Sequence, residues 1–109
     1  MKNEIREISV QIAKEKAGAG IVFVDVREED EVKKMSYVVS NLINIPLSQF
    51  EKRFGGLPKD KELILVCRRG RRSLIAAKFL LSQGFFNVVN MRGGILKWAD
   101  KGFPVENNR

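Results

Sequence analysis

Two stretches of the chain, Ile21-Val22-Phe23-Val24-Asp25-Val26 and Leu63-Ile64-Leu65-Val66, lack the polar alternation of a half-exposed strand. Such continuous runs belong to strands buried on both faces. Ile43-Asn44-Ile45 and Val88-Val89-Asn90-Met91 are shorter strand candidates. Between them the apolar positions recur at helical spacing. Residues 73–83 place Leu74, Ala77, Leu80 and Leu81 on one stripe, with Gly84 as the C-terminal stop, which predicts a helix. Ser48 and Glu51 stand at the capping-box interval and predict a short helix through Phe54 that ends at Gly55-Gly56. Residues 10–17 and 28–35 also carry helical patterns, as do 94–101, which Gly102 and Pro104 close. Strands that alternate with helices predict an α/β fold with a parallel sheet covered on both faces. In such sheets ligands sit beyond the carboxyl ends of the strands. Cys67 follows the run 63–66 directly.

Length and composition narrow the reading. The 109 residues correspond to one domain, with 44% apolar and 30% charged residues, and a core of that size can form without disulfides or metal. The chain has one cysteine, so no intramolecular disulfide is possible, and Met1-Lys2-Asn3-Glu4-Ile5-Arg6-Glu7 lacks the pattern of a signal peptide. A reducing, cytoplasmic location is the expectation. No apolar run approaches the ~20 residues of a membrane span. Histidine is absent, which excludes Ser-His-Asp and Cys-His catalysis within the chain and leaves a zinc site only one Cys and carboxylates. Neither a metal nor a cofactor is expected.

Charge points to a single place. Twenty basic and 13 acidic residues give +7, and Arg68, Arg69, Arg71 and Arg72 concentrate four of those positive charges between Cys67 and Ser73. A strand, a loop turning at Gly70 and a helix N-terminus form a cradle of backbone N–H groups, reinforced by the helix dipole. A cysteine at its mouth is held as thiolate, because helix N-termini and neighbouring Arg lower a thiol pKa from ~8.5 into the range of roughly 3.5–7.5. That yields a nucleophile without any histidine. Taken singly, the features have plainer readings. A free Cys after an apolar strand is by default a small buried hydrophobe, and an arginine cluster is by default a solvated face or a nucleic-acid contact. Together they favour the cradle, since packing a core there would strand the charges. Nucleic-acid binding would call for aromatic side chains interleaved with the cluster, and the loop has none.

In order and spacing, several segments follow one pattern: Asp25-Val26-Arg27-Glu28-Glu29, Ile43-Asn44-Ile45-Pro46-Leu47, Leu65-Val66-Cys67-Arg68-Arg69-Gly70-Arg71-Arg72-Ser73, Gly84-Phe85-Phe86-Asn87-Val88, Met91-Arg92-Gly93-Gly94-Ile95-Leu96-Lys97-Trp98 and Gly102-Phe103-Pro104-Val105. Over about residues 8–105 this resembles a single-domain rhodanese. The resemblance implies a three-layer α/β fold, with a central parallel five-stranded sheet flanked by helices, and sulfur transfer through a persulfide on Cys67. Residues 67–72 look like the family's six-residue active-site loop, whose amides face the sulfur. Arg68, Arg69, Gly70, Arg71, Arg72 and Ser73 then bind substrate and stabilise the persulfide. The chain departs from the family at Ser36-Tyr37-Val38-Val39-Ser40-Asn41-Leu42, where many members carry Gly-His-Ile, and the stretch back to Asp25 is about two residues longer.

Other residues take supporting parts. Asp25 and Arg27 resemble the family's Asp-Val-Arg, read as a carboxylate bonding loop amides at the rim and an Arg pairing with a carboxylate. Trp98, three residues after Ile95, reads as core, and Gly93-Gly94 as a tight turn into the last helix. Two functions follow from the resemblance. One is an enzyme moving a sulfane sulfur from thiosulfate or a similar anionic donor to a thiol, cyanide or protein acceptor; the other is a persulfide carrier or regulatory module serving a partner protein. Rhodanese-fold phosphatases resemble Cys-x5-Arg, but here the residue in that last place is Ser73, so phosphatase activity is not expected.

Overall fold

The computed structural model describes residues 4–108. Five parallel strands form the central sheet in the order β1-β6-β5-β2-β4: β1 Arg6–Ile8, β2 Val22–Asp25, β4 Leu42–Asn44, β5 Leu63–Val66 and β6 Val88–Met91. The buried runs become its centre, with Val22 to Asp25 of β2 in register with Leu63 to Val66 of β5. Parallel pairing leaves both faces to be covered, and successive side chains divide between them. Val24, Leu63 and Leu65 join Ala76, Ala77 and Leu80 of helix α4 (Arg71–Ser82) in one cluster. Phe23, Ile64 and Val66 join Val10 and Ala13 of α1 (Val10–Gly18) and Ile95 and Trp98 of α5 (Gly94–Asp100) in the other.

Several boundaries differ from the sequence expectation. The apolar pattern does not predict the short strand β1, which is three residues long and has β6 as its partner. The segment 35–42 is likewise partly strand. Met35–Tyr37 (β3) pairs antiparallel with Val105–Asn107 (β7) outside the main sheet, just after α2 (Glu29–Lys34). The Ser48 capping box does not form. Ser48 lies in a 3-10 turn, Leu47–Gln49, and its hydroxyl and amide both donate to the Glu28 carboxylate, so the four-residue α3 (Phe50–Arg53) starts without a side-chain cap. Glu28 draws Ser48 away. Helix α4 begins at Arg71 rather than Ser73, because Gly70 takes φ +100° and lets the chain enter the helix two residues earlier. Trp98 is fully buried as expected, and its indole N–H donates to the Pro104 carbonyl. Among the described residues no helix is long and apolar enough to cross a membrane.

Candidate active site

The carboxyl end of β5 delivers Cys67 to the bottom of a loop that turns at Gly70 into the first turn of α4. The residue is only 1% exposed. Around its Sγ stand the Gly70 amide at 3.1 Å, the Ser73 amide at 3.4 Å and the Ser73 hydroxyl at 3.2 Å. Burial pushes the thiol pKa up, but hydrogen bonding at Ser73 above all, and from the amides of Gly70 and Arg69, outweighs it, and the pKa lies below the ordinary thiol value. The sulfur is therefore biased toward thiolate by backbone groups, with no histidine involved.

The loop is clamped from behind. The Cys67 carbonyl accepts from the Ile95 amide at 2.9 Å and from the Tyr37 hydroxyl at 2.8 Å, while the Arg68 carbonyl accepts from the Leu96 amide. These contacts require the start of α5 to lie against the loop. A Cβ on Gly94 would fall onto the Arg68 carbonyl, and Gly94 also has φ +61°. The Gly93-Gly94 turn thus does more than reverse the chain: it brings α5 close enough to hold the cysteine loop.

The four arginines divide. Arg72 turns back to form a bidentate pair with Glu31 of α2, at 2.7 and 2.9 Å. This pairing holds the Glu31 carboxyl down at about 2, against an ordinary 4.5. Arg68, Arg69 and Arg71 are exposed and make no ion pair among the described residues. Their charges are left unneutralised by any carboxylate, whereas Arg72 ties α4 to α2. A cleft of about 300 Å³ beside the loop is lined by Arg68, Lys34, Glu31, Ile95 and Leu96.

Asp25 and Arg27 find each other. Asp25 accepts from the Arg27 amide, Nε and Nη2, and both residues are buried. The backbone amide on the Asp25 carboxylate is that of Arg27 alone, not several amides of the cysteine loop, and the carboxylate that pairs with Arg27 is Asp25. The Arg27 Nη1 goes on to the Met35 carbonyl at 2.9 Å, and its guanidinium lies 5.4 Å from the centre of the Tyr37 ring. Tyr37 and Asn90 are site residues that sequence reasoning missed. Asn90 gave one signal, a polar side chain inside an apolar strand run; Tyr37, within the segment that departs from the family, gave none. Among the described residues no group of three or more His, Cys, Asp or Glu could hold a metal ion.

Known proteins resemble the chain in sequence and in fold. The family described as Rhodanese-like domain matches residues 9–101. A sulfurtransferase of Allochromatium vinosum is 33% identical over 85 residues, covering 78% of each chain. Thiosulfate sulfurtransferase 18 of Arabidopsis thaliana is 31% identical, over 94% of this chain and 84% of its own. The crystal structure of a rhodanese-related protein from Thermoplasma volcanium superposes with a TM-score of 0.81 at 36% identity, covering 93% of this chain and 97% of that one.

Proposed function

The chain belongs to the rhodanese-like family of sulfur-transfer proteins, and we propose that it moves a sulfane sulfur from thiosulfate, or a similar anionic donor, to a nucleophilic acceptor through a persulfide on Cys67. The observation that carries this reading is the pair of amides, Gly70 and Ser73, turned on Cys67 Sγ, which supports an anionic sulfur with no acid or base at hand. Sulfur transfer needs neither. The Cys67 thiolate attacks the outer sulfur of thiosulfate, the S–S bond of the donor breaks, and its electron pair leaves on sulfite. The resulting persulfide carries its negative charge on the outer sulfur, where the loop amides and Arg68, Arg69 and Arg71 stabilise it. An acceptor such as cyanide or a thiolate then attacks that outer sulfur, and the electron pair of the S–S bond returns to Cys67 Sγ. Gly70 supplies the turn, Ser73 and the Asp25–Arg27 pair support the loop, and Arg72 holds it to α2. Free Cys67 suits a reducing compartment such as the cytoplasm.

The loop geometry also speaks against phosphate ester hydrolysis. That reaction needs a proton for the leaving oxygen, and the groups that touch Sγ are amides and one hydroxyl. The intact mass after incubation with thiosulfate tests the proposal. A gain of one sulfur atom, lost on adding cyanide and absent in Cys67→Ser, is expected. Persulfide that forms only from a protein donor would point to the carrier role, and Cys67-dependent release of phosphate from para-nitrophenyl phosphate would overturn the assignment.

A further inference from the structure

The Ser73 hydroxyl stands between two claimants for its one proton. Its oxygen lies 3.2 Å from Cys67 Sγ on one side and 2.5 Å from Asn90 Oδ1 on the other. Asn90 is fully buried on β6, and its orientation is forced. Its Nδ2 reaches Glu7 Oε2 of β1 at 2.8 Å and the Gly70 carbonyl at 3.1 Å. Both partners accept only, so the NH2 must face them and Oδ1 must face Ser73. An amide oxygen has no proton to give. The hydrogen on the 2.5 Å contact is therefore that of Ser73, and the hydroxyl turns a lone pair toward the sulfur. In that arrangement it accepts from the Cys67 S–H but offers the thiolate nothing. Swinging the proton to the sulfur would leave a buried amide oxygen unpaired.

We propose that Asn90, pinned by Glu7 and the Gly70 carbonyl, is a positioning residue that withholds the Ser73 hydroxyl proton from Cys67 and leaves the sulfur anion to the backbone amides. The kinetic consequence rests on the sulfur-transfer reading above. In loading, Cys67 Sγ attacks the outer sulfur of the donor and sulfite departs; in delivery, the acceptor attacks the outer sulfur and the electron pair returns to Sγ. A better-stabilised thiolate is a poorer nucleophile in the first step and a better leaving group in the second. Asn90 thereby favours loading at the expense of delivery.

Other charged and titratable groups also stand around the loop. These are Arg68 and Arg69 on its own loop, Arg71 and Arg72 of α4 with Glu31 of α2, Asp25 at the end of β2 with Arg27 just beyond, the Tyr37 hydroxyl of β3 and, through Asn90, Glu7 of β1. A change at Asn90 replaces none of them. The test is the pH dependence of Cys67 alkylation in Asn90→Leu, in Ser73→Ala and in the double variant. In Asn90→Leu the freed hydroxyl turns to the sulfur, and the midpoint should fall by about one pH unit, the worth of a hydrogen bond to a charged group. Ser73→Ala alone should leave the midpoint unchanged or lower it, and added to Asn90→Leu it should cancel the fall. Single-turnover loading from thiosulfate should slow and delivery to cyanide should quicken in Asn90→Leu.

A folded Asn90→Leu with an unshifted or raised midpoint would overturn the proposal, as would equal slowing of both half-reactions. Should Asn90→Leu not fold, Ser73→Ala decides alone: a midpoint raised by about one pH unit means the hydroxyl already donates to the thiolate, and an unchanged or lowered one upholds the proposal. The alkylation measurements need no sulfur transfer. Shifts as expected in a protein that transfers no sulfur would refute the activity and leave the role of Asn90 standing.

Discussion

The hydroxyl of Tyr37 donates a 2.8 Å hydrogen bond to the carbonyl oxygen of Cys67, thirty residues further along the chain. Burial raises the Tyr37 pKa well above its ordinary value, so the hydroxyl keeps its proton and remains a donor. Its ring is held edge-on against Phe23 and Trp98. With the Ile95 amide on the same oxygen, two donors fix the peptide that follows the sulfur. Removing one by Tyr37→Phe leaves the ring packing intact, and should cost about 1 kcal/mol of stability and lower sulfur-transfer turnover severalfold. Thermal unfolding and steady-state kinetics check both, and an unchanged turnover would show that the β3 segment does not support the loop.

Cys67 should react with iodoacetamide as a thiolate at a pH below the ~8.5 of a free cysteine, because the Gly70, Ser73 and Arg69 amides favour its anion. The linkage has a definite sign. A folded-state pKa below the unfolded one contributes stability that is present above the unfolded pKa and lost as pH falls through the folded pKa. Relative to Cys67→Ala, the wild type should therefore gain stability as pH rises across that window. Urea denaturation at stepped pH measures it.

The exposed arginines and the paired one should separate experimentally. Arg68→Ala, Arg69→Ala and Arg71→Ala should each raise the KM for thiosulfate, most at low ionic strength, and stay within about 0.5 kcal/mol of wild-type stability. Arg72→Ala removes the bidentate partner of Glu31 and should lower the melting temperature as well. Equal destabilisation by all four would contradict the division.

Glu31 gives an acid signature. Its carboxyl is held at about 2, against an ordinary 4.5, first by the hydrogen bond from Arg72. A depressed carboxyl pKa contributes stability that is complete above the unfolded value and is lost as pH falls from 4.5 toward 2. Glu31→Gln should flatten the acid limb of the stability profile over that interval and leave the neutral region nearly parallel to wild type.

Gly94→Ala should be among the most damaging single changes outside the loop itself. The added Cβ meets the Arg68 backbone at a φ of +61°, and a strained residue of that kind costs of order 1–3 kcal/mol before any clash. Gly55→Ala, with nothing within 4 Å and no positive φ, serves as its neutral counterpart. Comparing melting temperatures and alkylation of Cys67 in the two tests whether α5 must lie against the cysteine loop.

The parts of the fold whose causes are local are legible along the chain. The runs Val22–Asp25 and Leu63–Val66 must be buried strands because they have no polar face to show water. Cys67, Gly70 and Ser73 must stand at a strand-to-helix turn, because the apolar period changes there and Gly70 is the residue that tolerates φ +100°. That was enough to find the cradle and the family. Which charges stay free depends on long-range contacts. Arg72 looks like its neighbours in sequence until Glu31, 41 residues away, takes it, and Ser48 looks like a helix cap until Glu28 claims it. Tyr37, Asn90 and the three-residue strands belong to the same class. Hydrogen bonds between groups far apart in sequence carry no periodicity, and their partners exist only once the sheet has set β1 and β6 beside β5 and the β3–β7 pair has brought Tyr37 to the Cys67 carbonyl.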